Sequence, residues 1–227
     1  MQRNNTVKGN SGAMTTITPP RPEGLPAPAA ELRPRDRILG TARDLFHKHG
    51  YRGVGVDAIA EAAGTNKMTL YRHFGSKDDL IVECLHGLAE EADAIWAGIE
   101  EKYLGDPVAQ LHAWVQVGAD CAIADARGCD MVNAAVELTE PGHPARRVIE
   151  DFKTAQRDRL VRLCRAAGAT QAELLADTLW LLLEGARVSR QSVGAEGPSA
   201  RFIRMAEAII AAFLPRETAG ASGPVSA

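Results

Sequence analysis

Residues 53–85, GVGVDAIAEAAGTNKMTLYRHFGSKDDLIVECL, decide the fold of this 227-residue chain. Ile59, Ala60 and Ala63 share one face of a short helix. Gly64 stops it, because glycine reaches left-handed backbone angles without steric cost. Asn66 is a good N-cap for a second short helix, Lys67 to His73. That helix carries Lys67, Thr69, Tyr71, Arg72 and His73, a density of hydrogen-bond donors suited to a DNA major groove. Phe74-Gly75 closes it, and Ser76-Lys77-Asp78-Asp79 reads as a capping box opening a further helix.

Working outward, Pro34 suits the first position of a helix that ends at Gly50, with Ile38, Leu39, Ala42, Leu45 and Phe46 at helical spacing. Three short helices thus form one unit. The whole segment resembles the DNA-binding domain of the TetR family of bacterial transcriptional regulators. The resemblance runs in one ungapped register over residues 35–85. It rests on Ile38, Ala42, Leu45, Phe46, Gly50 and Tyr51, then Val56, Ile59, Ala60, Ala63 and Gly64. Thr69, Leu70, Tyr71, His73, Phe74, Ser76, Lys77 and Leu80 complete it. Two departures stand out. Val54-Gly55 replaces the hydroxyl pair the family often has before Val56, and Thr65 and Met68 replace a frequent Val and Gly.

The predicted fold class is all-α: a three-helix helix-turn-helix domain joined by a long helix to a C-terminal helical ligand-binding and dimerisation domain. The expected divisions are a disordered tail at 1–32, the DNA-binding domain at 33–80, the larger domain at 81–214 and a second tail at 215–227. The tails are rich in Pro, Gly, Ser and Thr and have no periodicity. The long helix runs from Lys77 to about Lys102 with a stripe from Leu80 to Ile99. At ~1.5 Å per residue it spans roughly 39 Å, so it must leave the small domain and enter the larger one. Helices follow over about 107–126, 131–138 and 144–167. Two more apolar helices follow at about 170–193, opened by a Thr170-Gln171-Ala172-Glu173 capping box, and 199–214.

Composition agrees with this outline. Aromatic residues are 5% of the chain, which favours packed helices over sheets. The formal net charge of −3 hides an asymmetry. Residues 1–81 hold 12 Lys+Arg against 8 Asp+Glu, and residues 82–227 hold 14 against 21. A basic end on an acidic body suits a nucleic-acid binder. No run of eighteen apolar residues and no apolar leader is present, so a cytoplasmic protein without membrane contact is expected. The four cysteines form no CxxC pair and no zinc-finger spacing with histidine, so neither metal nor cofactor is expected.

A single recognition helix reads too few base pairs to be specific in a genome. A symmetric dimer sets two such helices in successive major grooves, about 34–36 Å apart. Helices 170–193 and 199–214 carry surplus apolar surface and are the expected dimer seam; an inverted-repeat operator in double-stranded DNA is the expected partner. The candidate DNA contacts are Thr65, Asn66, Lys67, Met68, Thr69, Tyr71, His73 and Lys77. Lys67, Thr65 and Thr69 suit base edges, Met68 suits a thymine methyl group, and Tyr71, His73 and Lys77 suit phosphate. Arg33, Arg35 and Arg37 would extend the footprint.

TetR-like proteins commonly release DNA when a ligand tilts the long helix, so the resemblance implies a small-molecule effector here. Candidate pocket residues are Trp96, His112, Trp114, Cys121, Met131, Asn133, Glu137 and Phe152. For each apolar one, plain core is the simpler account. Asn133 and Glu137 sit four apart on an apolar helix, where an unpaired polar group is costly. Two other classes compete. One is a DNA-binding regulator without a small-molecule ligand, controlled by a partner protein or thiol modification. The other is an enzyme using Cys121 or Cys129 with His112 or His143, and no phosphate loop, HExxH or nucleophile elbow supports it.

Overall fold

The computed structural model describes residues 33–124 and 127–215, and they are all-helical. The tails expected at 1–32 and 215–227 lie outside the described residues, except for Pro215. The helices are α1 Pro34–His49, α2 Val56–Ala62, α3 Lys67–Phe74, α4 Lys77–Lys102 and α5 Pro107–Ala124. They continue with α6 Asp130–Glu137, α7 Pro144–Ala166, α8 Ala172–Val193, a 3₁₀ turn at Pro198–Arg201, and α9 Phe202–Phe213.

The punctuation of the helix-turn-helix has local causes. Gly64 sits at φ +60°. Its amide reaches the Glu61 carbonyl at 3.0 Å and the Thr65 amide reaches that of Ala60 at 2.9 Å, a paired closure that satisfies the last carbonyls of α2. The Asn66 side chain accepts from the Thr69 amide at 2.9 Å and opens α3. We expect Asn66→Ala to lower unfolding stability by about 1 kcal/mol, checked by urea denaturation. An unchanged midpoint would mean that this cap does not set the start of α3. Ser76 likewise accepts from the Asp79 amide at 3.0 Å, and its hydroxyl donates to the Asp79 carboxylate at 2.6 Å. The cap expected at Thr170 does not form. Its hydroxyl donates instead to the Phe213 carbonyl at 3.2 Å, and Glu173 pairs with Arg165. The pull of the α9 C-terminus thus displaces the local motif.

Two apolar clusters share α4. The first joins α1–α3 to Leu80, Ile81, Cys84 and Leu85 of α4. It also takes in Met131 and Ala134 of α6, Leu138, and Ala145 and Ile149 of α7. The second surrounds Trp96 and Ile99 at the other end of α4 with α5, the C-terminal half of α7, α8 and α9. By packing, therefore, α6 and the start of α7 lie with the helix-turn-helix. The expected division at residue 80 assigned them by chain order to the larger domain. Arg35–Glu83 and Arg43–Glu91, both at 2.7 Å, tie α1 to α4. The same eight-residue step on both helices means that they run in the same direction. Such exposed pairs add little stability but mark the register.

Candidate nucleic-acid interface and effector cavity

Leu70 and Phe74 turn one side of α3 into the first core. The opposite side carries Lys67, Met68, Tyr71 and Arg72, with Asn66 at its entry; Thr65, Thr69 and His73 are half-buried at its edges. Met68 is 79% exposed, an unusual position for a large apolar side chain. Lys67 pairs with Asp57 of α2 at 3.1 Å. This contact in solvent is readily exchanged for a base edge or phosphate. Arg72 was on the helix read from the sequence but not among its candidate contacts. Its signal is its spacing, four residues beyond Met68 on the same exposed strip.

The flanking cations are more committed than their sequence suggests. Lys77 donates to the Tyr51 carbonyl at 2.7 Å and lies 5.9 Å from the Phe46 ring centre. Burial lowers its pKa. It holds the α1–α2 turn against the start of α4. Arg37 donates to the Ala63 carbonyl at 2.7 Å, bracing the helix-turn-helix from behind. Arg35 lies over the Phe74 ring while it pairs with Glu83. Of the three arginines expected to widen the footprint, Arg33 is the one that projects, loosely paired with Asp36 at 3.5 Å.

α6 straps the first core. Asp130 takes His47 Nδ1 at 2.7 Å, and its carbonyl accepts from the Tyr51 hydroxyl at 3.3 Å. At the other end Glu137 accepts from the Arg52 amide at 3.1 Å, and its carbonyl accepts from Arg52 Nε at 2.6 Å. Glu137 lies so close to Gly50 that a Cβ there would meet its Oε1 at 2.8 Å. Gly50 also sits at φ +79°, so a side chain at this turn is doubly opposed. Just before α6, Arg127 Nε donates to the His47 carbonyl at 2.8 Å, and Gln191 of α8 donates to the Arg127 carbonyl.

The structure therefore divides the candidate pocket residues. Trp96, Trp114, Cys121 and Phe152 line one cavity of about 110 Å³ between α4, α5, α7 and α8. Met131 lies instead in the first core. Asn133 donates to the Arg127 carbonyl at 3.0 Å, and Glu137 holds the Gly50–Arg52 turn. The polar cost noted for these two residues is met by backbone partners. His112 pairs with Glu207 of α9 at 2.7 Å on the surface. Among the cavity-wall residues not named as pocket candidates from sequence are Gln156, Trp180 and Arg187. Trp96 donates to Gln156 at 2.6 Å and stacks on Trp114 with ring centres 6.4 Å apart. Trp180, Leu183 and Arg187 fall on one face of α8 at steps of three and four, the only sequence signal they share. Cys121, Cys129 and Arg187 also line an open groove of about 470 Å³ beside α1. Burial pushes the thiols of Cys84 and Cys164 up to about 12, which keeps both protonated at neutral pH.

On the far side of α8, Leu174, Leu181 and Val188 recur every seven residues and are 51%, 70% and 51% exposed. Gly185 stands on the same strip, with nothing near its Cα that a side chain would touch. Ile203 of α9 is exposed as well.

The family described as bacterial regulatory proteins, tetR family, matches residues 38–84. The chain carries a TetR-family helix-turn-helix domain. Its curated relatives are named as transcriptional regulators of the helix-turn-helix type. The activator FasR of Mycolicibacterium smegmatis is 30% identical over 109 residues, 47% of this chain and 48% of FasR. The regulatory protein RaaS of Mycobacterium tuberculosis is 44% identical over 63 residues, 28% of this chain and 29% of RaaS. The chain thus spans about half the length of FasR and less of RaaS. Among solved structures, a TetR-family transcriptional regulator from Streptomyces coelicolor superposes with a TM-score of 0.75 at 27% identity. That match covers 80% of this chain and 96% of the other. A second regulator, from Streptomyces avermitilis, gives 0.65 at 28% identity, covering 80% and 98%. The TetR-family likeness in structure therefore extends beyond the first domain, into helices where sequence matching fades.

One departure within the TetR-family domain has a structural reason of its own. Val54 is buried in the first core, where a hydroxyl would need a partner, so packing replaces whatever polar contact the position makes elsewhere. Met68 meets no such demand, because it points into solvent.

Proposed function

We propose that this protein is a homodimeric transcriptional repressor that holds an inverted-repeat DNA site through α3 and leaves it when a small molecule enters the larger domain. The observation that carries this reading is α4. One end packs in the core beneath α3, through Leu80, Ile81, Cys84 and Leu85. The other end supplies Trp96 to the cavity wall. A ligand that favours one shape of that wall shifts the tilt of a continuous rod, to the extent of its differential affinity for the two shapes. In this reading residues 33–80 bind DNA and 81–214 bind effector and partner. Lys67, Thr65 and Thr69 read base edges beside Met68. Tyr71, His73 and Arg72 hold phosphates, and Lys77 contributes by fixing the turn behind them. The seam of Leu174, Leu181 and Val188, with α9, meets its copy in the second chain.

An effector-free regulator is the second reading. The cavity favours the first, since a filled core would leave a ligand no place; at about 110 Å³ it must widen or open into the outer groove to take more than a small ring. A cytoplasmic location belongs to the same proposal, and no helix among the described residues is long and apolar enough to cross a membrane. The test is a pair of substitutions on α3. Tyr71→Ala should weaken every duplex alike and reduce the salt slope by about one phosphate's worth. Lys67→Ala should relax sequence preference at one base pair per half-site. If both bind as wild type at matched salt, α3 does not lie in the groove.

A further inference from the structure

Among the described residues, Arg187 is the one charged side chain in the wall of the aromatic cavity, and it also lines the outer groove. It is half-buried, and among the described residues no acceptor lies within hydrogen-bond or ion-pair distance of it. A guanidinium offers five donors and no acceptor, so the partner it takes at this junction of chamber and groove is an anion or another acceptor. Of the other charged groups of the groove, Arg43 pairs with Glu91 and His47 with Asp130. Asp44 also lines it, but out of ion-pair range of Arg187.

Resting on the effector reading above, we propose that the effector is an organic anion: one carboxylate on a single ring or short aliphatic chain. The apolar part fills the chamber between Trp96, Trp114, Phe152 and Trp180, which is near the size that admits one ring. The carboxylate meets Arg187 where chamber and groove join, and a planar guanidinium accepts it through two parallel hydrogen bonds. The same residue couples the site to the DNA-binding end. Gln191, one helical turn beyond Arg187, donates to the Arg127 carbonyl, and Arg127 donates to His47 of α1. An anion that draws in Arg187 acts on the helix that holds this chain of contacts.

The chain has three tryptophans and all three line the cavity, so its intrinsic fluorescence reports on this site. Phenylacetate, 2-phenylethanol and 2-phenylethylamine are titrated against the full chain, as are octanoate, 1-octanol and octylamine. We expect saturable quenching by at least one acid, with roughly 10-fold or greater preference over its neutral counterpart. Arg187→Gln should abolish that preference while melting near the wild-type temperature, and Arg187→Lys should retain part of it. An alcohol or amine binding as tightly as its acid overturns the proposal, as does a preference that survives in Arg187→Gln. In both cases a ligand still enters the cavity, and the effector reading stands apart from the anion proposal. If no probe of any charge changes the fluorescence, the anion proposal and the effector reading both fall.

Discussion

Leu181→Asp is expected to turn a dimer into a monomer. Leu181 is 70% exposed in the centre of a seven-residue repeat with Leu174 and Val188, along a helix whose other face builds the second core. Two-fold symmetry brings each seam residue into the interface twice. Burying a leucine contributes roughly 1.5–3 kcal/mol, so losing the pair costs about 3–6 kcal/mol, before the charge of two apposed carboxylates is added. That corresponds to about 10²–10⁴-fold in the dimer dissociation constant. Sedimentation equilibrium reads it directly. The monomer should keep its helical content, since Leu181 is 70% exposed and outside the core clusters of the described residues, but should lose tight binding to a two-half-site duplex. A Leu181→Asp protein that stays dimeric would place the interface elsewhere.

The second large effect concerns Met131. Truncating it to alanine is expected to cost about 2–5 kcal/mol, because it is 1% exposed within the first core and its removal leaves a void. The loss should appear as a lower urea midpoint, with the tryptophan fluorescence of the cavity responding to ligand as before. The reverse result, unchanged stability with an altered ligand response, would return Met131 to the effector site, where sequence reading had set it. The contrast also tests the strap. If α6 braces the α1–α2 turn through Asp130 and Glu137, loosening Met131 should weaken DNA binding even at temperatures where the chain remains folded.

Met131, Asn133 and Glu137 show where sequence reading runs out. Periodicity and capping residues locate the helices to within a residue or two, because those signals are local: Pro34, Asn66, Ser76 and Gly64 act on their own neighbours. The polar pair on α6 was legible as an anomaly, but not its resolution. Glu137 is satisfied by a turn 85 residues earlier in the chain and Asp130 by a histidine 83 earlier. Spacing within one helix carries no trace of such partners. Thr170 fails for the same reason, since its hydroxyl goes to Phe213, 43 residues on. On α8 the apolar surface was visibly too wide for one face, yet nothing in its pattern distinguishes the exposed strip at Leu181 from the cavity wall at Trp180. Arg187 reads as an ordinary surface charge until α4, α5 and α7 are packed around it. On the recognition helix, by contrast, the inward pair Leu70 and Phe74 leaves only one face for Lys67, Met68 and Tyr71. Nearly all of that surface was therefore legible, with Arg72 the residue passed over.

Selection from a randomised duplex pool with the purified full-length protein, at physiological salt, tests the central claim most directly. The account predicts enrichment of an inverted repeat whose half-site centres lie about one helical turn, or a whole number of turns, apart. It also predicts that Leu181→Asp loses that enrichment. Failure of any duplex to enrich, or recovery of a single asymmetric site bound by one chain, would contradict it.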